Sequence, residues 1–316
     1  MQGMERQKII TMLEALQRSS ARVVGRILEP SWCWKLRRYL NIGAERQFAT
    51  DMTRVNDMLY GFITRSIQDK ANRGGSECRM DLISLYLEQH AVDNGKDAPF
   101  HPKKLRDFLV SFLAAGQDTT ATAMSWFLVM INRYPKILEN VRREIHDKLP
   151  DLASGKQKVP SLEDTHRLVY LEAAIKETLR LFPVAPISGR TAMRDVTMSN
   201  GVFLAKGTSV HMPHYMMGRM NSVWGQDAEE FKPDRWIDPV TRKILAVSVS
   251  KFSAFYGGPH ACLGMKFAMS EIKITLATLL SRYNFKTSRE PFDYTYRMAL
   301  SLRIDGGLDV AVTSLD

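Results

Sequence analysis

Apolar residues recur every three or four positions along most of the 316-residue chain, a spacing that predicts a mainly helical protein. Ile9, Met12, Leu13, Leu16, Val23, Val24 and Ile27 mark a first helix over 5–28, stopped by Pro30. Residues 32–40 interleave Trp32, Trp34 and Tyr39 with Lys35, Arg37 and Arg38. Such a segment suits either a membrane surface or a helix that packs its aromatics inward. Helical spacing returns over 48–70 and 80–89, separated by a loop at 71–77, and a polar connector follows at 93–100.

The longest helical pattern runs over 103–134 and is interrupted only chemically, at Ala115-Gly116-Gln117-Asp118-Thr119-Thr120. Glycine, a carboxylate and two threonines disfavour the middle of an apolar helix, so this is either a kink or a working site. Pro135 marks the break before a charged helix over 137–149, and Ser161 with Asp164 forms a capping box for a segment that continues to Arg180. The period then shortens. Two strand-like runs occupy 195–213, with turn signals at Asn200-Gly201 and Lys206-Gly207. A short helix over 224–230, an irregular meander over 238–250 and a helix over 265–283 come next. The last expected element is a hairpin over 294–314 that turns at Asp305-Gly306-Gly307.

Charge changes the picture modestly. A net charge of +10 without RNA-binding signatures reads as a docking or membrane-facing surface, or as a solvated basic face, and not as a nucleic-acid site. Three cysteines, Cys33, Cys78 and Cys262, lack the paired spacing of a disulfide framework or a zinc site and fit a reducing compartment. No run of eighteen or more apolar residues occurs.

The sharpest chemistry lies in Phe255-Tyr256-Gly257-Gly258-Pro259-His260-Ala261-Cys262-Leu263-Gly264, directly before the 265–283 helix. Glycines allow tight turns and close approach of a flat ligand, and a helix N-terminus favours a thiolate. A thiolate so placed suits a soft metal or a haem iron; the plainer reading is a buried structural cysteine after a glycine turn. Two further spacings stand out. Glu177-Thr178-Leu179-Arg180 puts opposite charges one turn apart, which alone reads as a surface ion pair. It is followed by Leu181-Phe182-Pro183 and later by Phe231-Lys232-Pro233-Asp234-Arg235-Trp236.

Together these motifs, in this order, resemble the cytochrome P-450 family over essentially the whole chain. The resemblance implies one haem-thiolate monooxygenase domain over 1–316, mainly α with small β-sheets, matching the C-terminal two thirds of the family domain. It implies haem b, with Cys262 as the axial ligand of the iron, held by the loop residues Phe255, Gly258, His260 and Gly264. His260 stands where most members have an arginine for a haem propionate, and Arg190 is placed to meet a propionate from the pocket-lining stretch 184–192. Asp118 and Thr119 take the place of the acid–alcohol pair that relays protons to bound oxygen, in a helix that opens beside the haem. Glu177, Arg180 and Arg235 match a structural lock behind the haem.

The expected reaction is hydroxylation of a lipophilic substrate with O2 and electrons ultimately from NADPH, delivered by a flavoprotein reductase docking near Lys251, Lys266 and Lys273. Trp34 to Gly43 and Gly218 to Gly225 further resemble fatty-acid ω-hydroxylases, implying a long-chain fatty acid as substrate and the cytosolic face of the endoplasmic reticulum membrane as location. Sterol or xenobiotic hydroxylation is the alternative within the family. The family's N-terminal anchor, strands and propionate-binding helix have no match here, so an N-terminally truncated, catalytically inert fragment is the alternative of another class.

Overall fold

In the computed structural model the described residues are 2–27, 29–72, 81–95, 100–298 and 301–315. Cys78 and the loop beyond Asn72, expected at 71–77, lie outside them, as do Met80 and residues 96–99 of the connector. The chain divides into two compact units, residues 1–118 and 119–316.

The first unit holds α1 (Gln2–Ile27), α2 (Ser31–Tyr39), α3 (Gly43–Asn72), α4 (Leu82–Asn94) and the first half of α5 (Pro102–Arg133). Met12, Ala15 and Leu16 of α1 pack with Val55, Leu59 and Ile63 of α3 and with Leu105 and Leu109 of α5. The apolar periodicity of α1 continues past this core, but Val23 is exposed and polar side chains take over the contact. Glu45, almost wholly buried, accepts from Arg26 and Arg22, while Glu29 joins Arg22 to Arg37. Asp51 accepts a two-pronged contact from Arg18. Arg26 also lies over the rings of Trp34 and Phe48, at 5.0 and 4.4 Å from their centroids. The segment 32–40 is helical as α2, but it buries none of its residues; Trp32, Leu36 and Tyr39 face outward.

The second unit begins with the second half of α5 and continues through α6 (Pro135–Lys148), α7 (Pro150–Ala153), α8 (Leu162–Thr165) and α9 (Val169–Leu181). Small sheets follow: β1 (Ser188–Thr191), β2 (Val196–Thr197), β3 (Phe203–Leu204) and β4 (Ser209–Met212), then the short helices α10 (His214–Met217) and α11 (Asn221–Trp224). The chain ends with α12 (Met265–Leu280), β5 (Tyr283–Thr287), β6 (Tyr296–Met298), β7 (Leu302–Ile304) and β8 (Val310–Ser314). The sheets are two-stranded and antiparallel among the described residues: β1 with β4, β2 with β3, β5 with β8 and β6 with β7. One apolar core joins α5, α6, α9 and α12. At its centre the rings of Trp126 and Phe182 stack 4.0 Å apart, and Trp126 Nε1 donates to Leu302 O at 2.6 Å.

Four expectations are corrected. The segment from Ser161 to Arg180 is two helices: the Ser161–Asp164 capping box opens only α8, and α9 starts afresh at Val169. Its N-terminus is satisfied from outside, by Glu144 of α6, which accepts from the amides of Tyr170 and Leu171 at 2.7 and 2.9 Å. The short helix expected over 224–230 lies earlier, as α11, because Gly225 with φ of +90° ends it. Helix α12 stops at Leu280, and Tyr283 opens β5. The terminal hairpin is β6–β7; β8 reaches back to β5, so Asp305-Gly306-Gly307 joins two sheets and does not turn one hairpin.

The ion pairs of the first unit make its stability pH-dependent. Hydrogen bonds from Arg26 hold Glu45 below the usual carboxylate range, and those from Arg18 do the same for Asp51. Depressed folded values stabilise the fold above the unfolded carboxylate range, near pH 4, and the contribution is lost as pH falls through the folded values. Glu45→Ala should therefore cost about 3 kcal/mol at neutral pH, since it takes the carboxylate from Arg26 and leaves Arg22 with Glu29 alone. Circular dichroism melts should show the deficit at pH 7 and show it shrinking at low pH; a pH-independent deficit would count against the ion-pair explanation.

Candidate active site

Glycine geometry shapes the cysteine loop. Tyr256 adopts φ of +57° and its amide closes a turn onto Ser253 O at 2.9 Å. Gly257 passes so close to Val249 that an added Cβ would sit 2.8 Å from a methyl group. Gly258 takes φ of +62° and starts a 3-10 turn through His260. The loop closes where the Cys262 amide donates to Phe255 O at 2.8 Å. Phe255 is half-buried against the core, whereas His260 and Cys262 are exposed and the Cys262 thiol is free. The Met265 amide, in the first turn of α12, donates to the Cys262 carbonyl at 3.4 Å.

Arg190 is exposed on β1, which occupies part of the stretch expected as a pocket-lining loop. Burial raises the pKa of the Tyr256 phenol; Arg190 pulls it down and Cys262 pushes it up, so both lie within electrostatic reach of one side chain. The loop thus presents an exposed sulfur together with an imidazole, and open space beside Gly258, while β1 carries the exposed Arg190 guanidinium. A soft sulfur ligand with hydrogen-bond donors on its own loop and on β1 fits an iron porphyrin carrying carboxylates.

Glu177, Arg180 and Arg235 are brought together in the interior. Both Glu177 and Arg180 side chains are fully buried, contrary to the surface pair that spacing alone suggests. The Glu177 carboxylate accepts from Arg180 Nε at 2.7 Å, Arg235 Nε at 2.8 Å, the Lys232 amide at 2.8 Å and Trp236 Nε1 at 2.9 Å. Arg180 also donates to the carbonyls of Gly218, Ala228 and Glu230. Gly218 must be glycine, since an added Cβ would lie 2.1 Å from Arg180 O. The network reaches the cysteine loop through aromatic rings: Trp236 meets Phe252 at 4.7 Å, and Phe252 meets Phe255 at 6.5 Å.

Asp118 and Thr119 lie in α5, which is helical from Pro102 to Arg133. Asp118 is half-buried, Thr119 is exposed and Thr120 is buried. Thr120 Oγ1 donates to Glu271 of α12 at 3.4 Å, which ties the end of the motif to the helix that follows Cys262. Sequence reasoning missed Glu271, whose charge has no pattern of its own. Lys273 requires a correction: it is buried and donates to Glu172 at 2.8 Å and to Thr165 O at 3.1 Å, so it offers no charge to a docking partner. Lys251 and Lys266 are exposed.

A helical core with small sheets, carrying an exposed cysteine on a glycine loop before a long helix, is the arrangement that the resemblance to haem-thiolate proteins implies. The cytochrome P-450 family model matches residues 1–306, and the chain belongs to that family. It is 35% identical over 292 residues to cytochrome P-450 704C1 of Pinus taeda, covering 89% of this chain and 55% of that protein. To cytochrome P-450 86B1 of Arabidopsis thaliana it is 31% identical over 315 residues, covering 96% and 55%. To alkane hydroxylase MAH1 of Arabidopsis thaliana it is 30% identical over 296 residues, covering 91% and 56%. The chain spans about half the length of the curated relatives it matches.

Removing the buried carboxylate while leaving its partners should be severe. Glu177→Ala is expected to destabilise the second unit by about 3–5 kcal/mol, the usual cost of stranding buried charge. Lowered thermal unfolding midpoints or loss of soluble protein would register it; a melt within a degree or two of the parent would overturn the account.

Proposed function

We propose that this chain carries the haem-binding and oxygen-activating part of a monooxygenase that hydroxylates long aliphatic substrates, a fatty acid at or near its methyl end. The observation that carries the reading is the exposed, free thiol of Cys262 on its glycine loop in a chain of this family. Cys262 would ligate the iron, His260 and Arg190 would meet the propionates, and Phe255, Gly258 and Gly264 would shape the face against the ring. Bound haem would supply dioxygen activation, with thiolate electron donation favouring O–O cleavage.

Asp118 and Thr119 would hand protons inward from solvent: a carboxylate and a hydroxyl adjacent on one helix can each accept and release one. The balance is one C–H bond and one O2 giving one C–OH and one water, with two electrons and two protons. NADPH would provide the electrons through a flavoprotein reductase, for which Lys251 and Lys266 offer exposed charge. The fatty-acid assignment rests on the 34–43 and 218–225 resemblance, and the likeness to an alkane hydroxylase supports a long aliphatic chain. No described helix is long and apolar enough to cross a membrane. Exposed Trp32, Leu36 and Tyr39 beside Lys35 and Arg38 on α2 support contact with a membrane surface, in this proposal the cytosolic face of the endoplasmic reticulum.

Two measurements test the proposal. The chain reconstituted with haemin, reduced and exposed to carbon monoxide should give the red-shifted Soret band of thiolate ligation. Cys262→Ser should abolish that band, and its survival would remove Cys262 as ligand. Titrating the reconstituted ferric protein with long-chain fatty acids should shift the haem spin state; a response to sterols and not to fatty acids would replace the substrate class.

A further inference from the structure

His214, the first residue of α10, is a buried imidazole engaged at both ring nitrogens. Nε2 lies 2.8 Å from Ser188 Oγ, at the start of β1, and Nδ1 lies 2.7 Å from Ser253 Oγ, in the stem of the cysteine loop. Burial holds its pKa below the ordinary histidine value, which favours the neutral ring. A neutral imidazole has one N–H and one lone pair, so one serine accepts from it and the other donates to it. The edge of the ring also meets Tyr256, 5.1 Å between centroids at 74°. Tyr256 is the bulky residue held at φ of +57°, a conformation that persists only where the surroundings fix it.

The two segments joined by His214 each carry a group assigned above to the haem. Arg190 lies two residues beyond Ser188 on β1, and the loop after Ser253 leads through Tyr256 to His260 and Cys262. We infer that His214 is a positioning residue: a clamp between Ser188 and Ser253, braced on Tyr256, that sets the spacing between the propionate partner and the axial ligand. The inference rests on the haem reading of the loop, but the clamp itself is a property of the bare protein. Sequence pattern gives no hint of it, because the three polar residues lie far apart along the chain and none belongs to a motif.

The test uses the whole 316-residue chain in two states. Without haem, hydrogen exchange at the Cys262 amide reports loop closure onto Phe255 O, with the β5–β8 amides as internal reference. His214→Phe, which removes both hydrogen bonds, should exchange at least about fivefold faster there, the effect expected from the bond to Ser253 in the loop stem alone. Ser188→Ala and Ser253→Ala should each give a similar gain, and the double variant should add little, because each cuts the same clamp. His214→Asn, whose amide reaches only the Nδ1 position, should restore part of the loop protection. With haemin bound, the same variants should lose a matching fraction of the thiolate-type carbon monoxide band.

Additive serine effects, or unchanged exchange in a His214→Phe protein with parental circular dichroism, would overturn the clamp. If His214→Phe fails to fold, the serine variants decide alone. A parent protein without the thiolate band would defeat the haem reading, while the exchange data would still decide the clamp.

Discussion

A single buried carboxylate organises the second unit. Glu177 has no access to water, so its charge is sustainable only because two guanidinium groups, an indole N–H and a backbone amide converge on it. Those donors come from α9 itself and from the 232–236 segment, and Arg180 extends the set to the carbonyls of residues 218, 228 and 230. A long irregular stretch, with little secondary structure to hold it, is thereby anchored onto one helix. Trp236 passes the constraint to Phe252 and Phe255, so the placement of Cys262 depends on charges that never approach it.

The loop shows a division of labour between strain and support. Tyr256 and Gly258 both take left-handed backbone, and Gly257 is pressed against Val249. Such geometry leaves the sulfur and His260 outward-facing while the Phe255 ring remains inward. The cost falls on the stem and is offset by packing and hydrogen bonds there, while the Cys262 and His260 side chains stay exposed.

Much of this was legible in the sequence, for reasons that are local. Apolar periodicity located the long helices, and the fixed offsets around Cys262 revealed the loop, because glycine turns and helix starts are short-range features. What escaped was set by partners distant in the chain. Glu-x-x-Arg spacing cannot tell a solvated pair from a buried one; only the residues around 218–236 decide that. Lys273 read as a docking charge because Glu172, its partner, lies on another helix. The C-terminal half of α1 looked apolar yet packs through Arg22, Arg26 and Glu45, and β8 looked like half of a hairpin until β5 claimed it.

Helix α9, which bears Glu177 and Arg180, has no side-chain cap of its own; Glu144 supplies it from 26 residues upstream of Tyr170. An uncapped helix of 13 residues is marginal in isolation. It follows that the stability of α9 is coupled to α6: loosening α6 removes the acceptor that satisfies the first turn of α9. The charge network on α9 therefore shares its footing with a carboxylate that takes no part in it, and a change at Glu144 should be felt at Glu177.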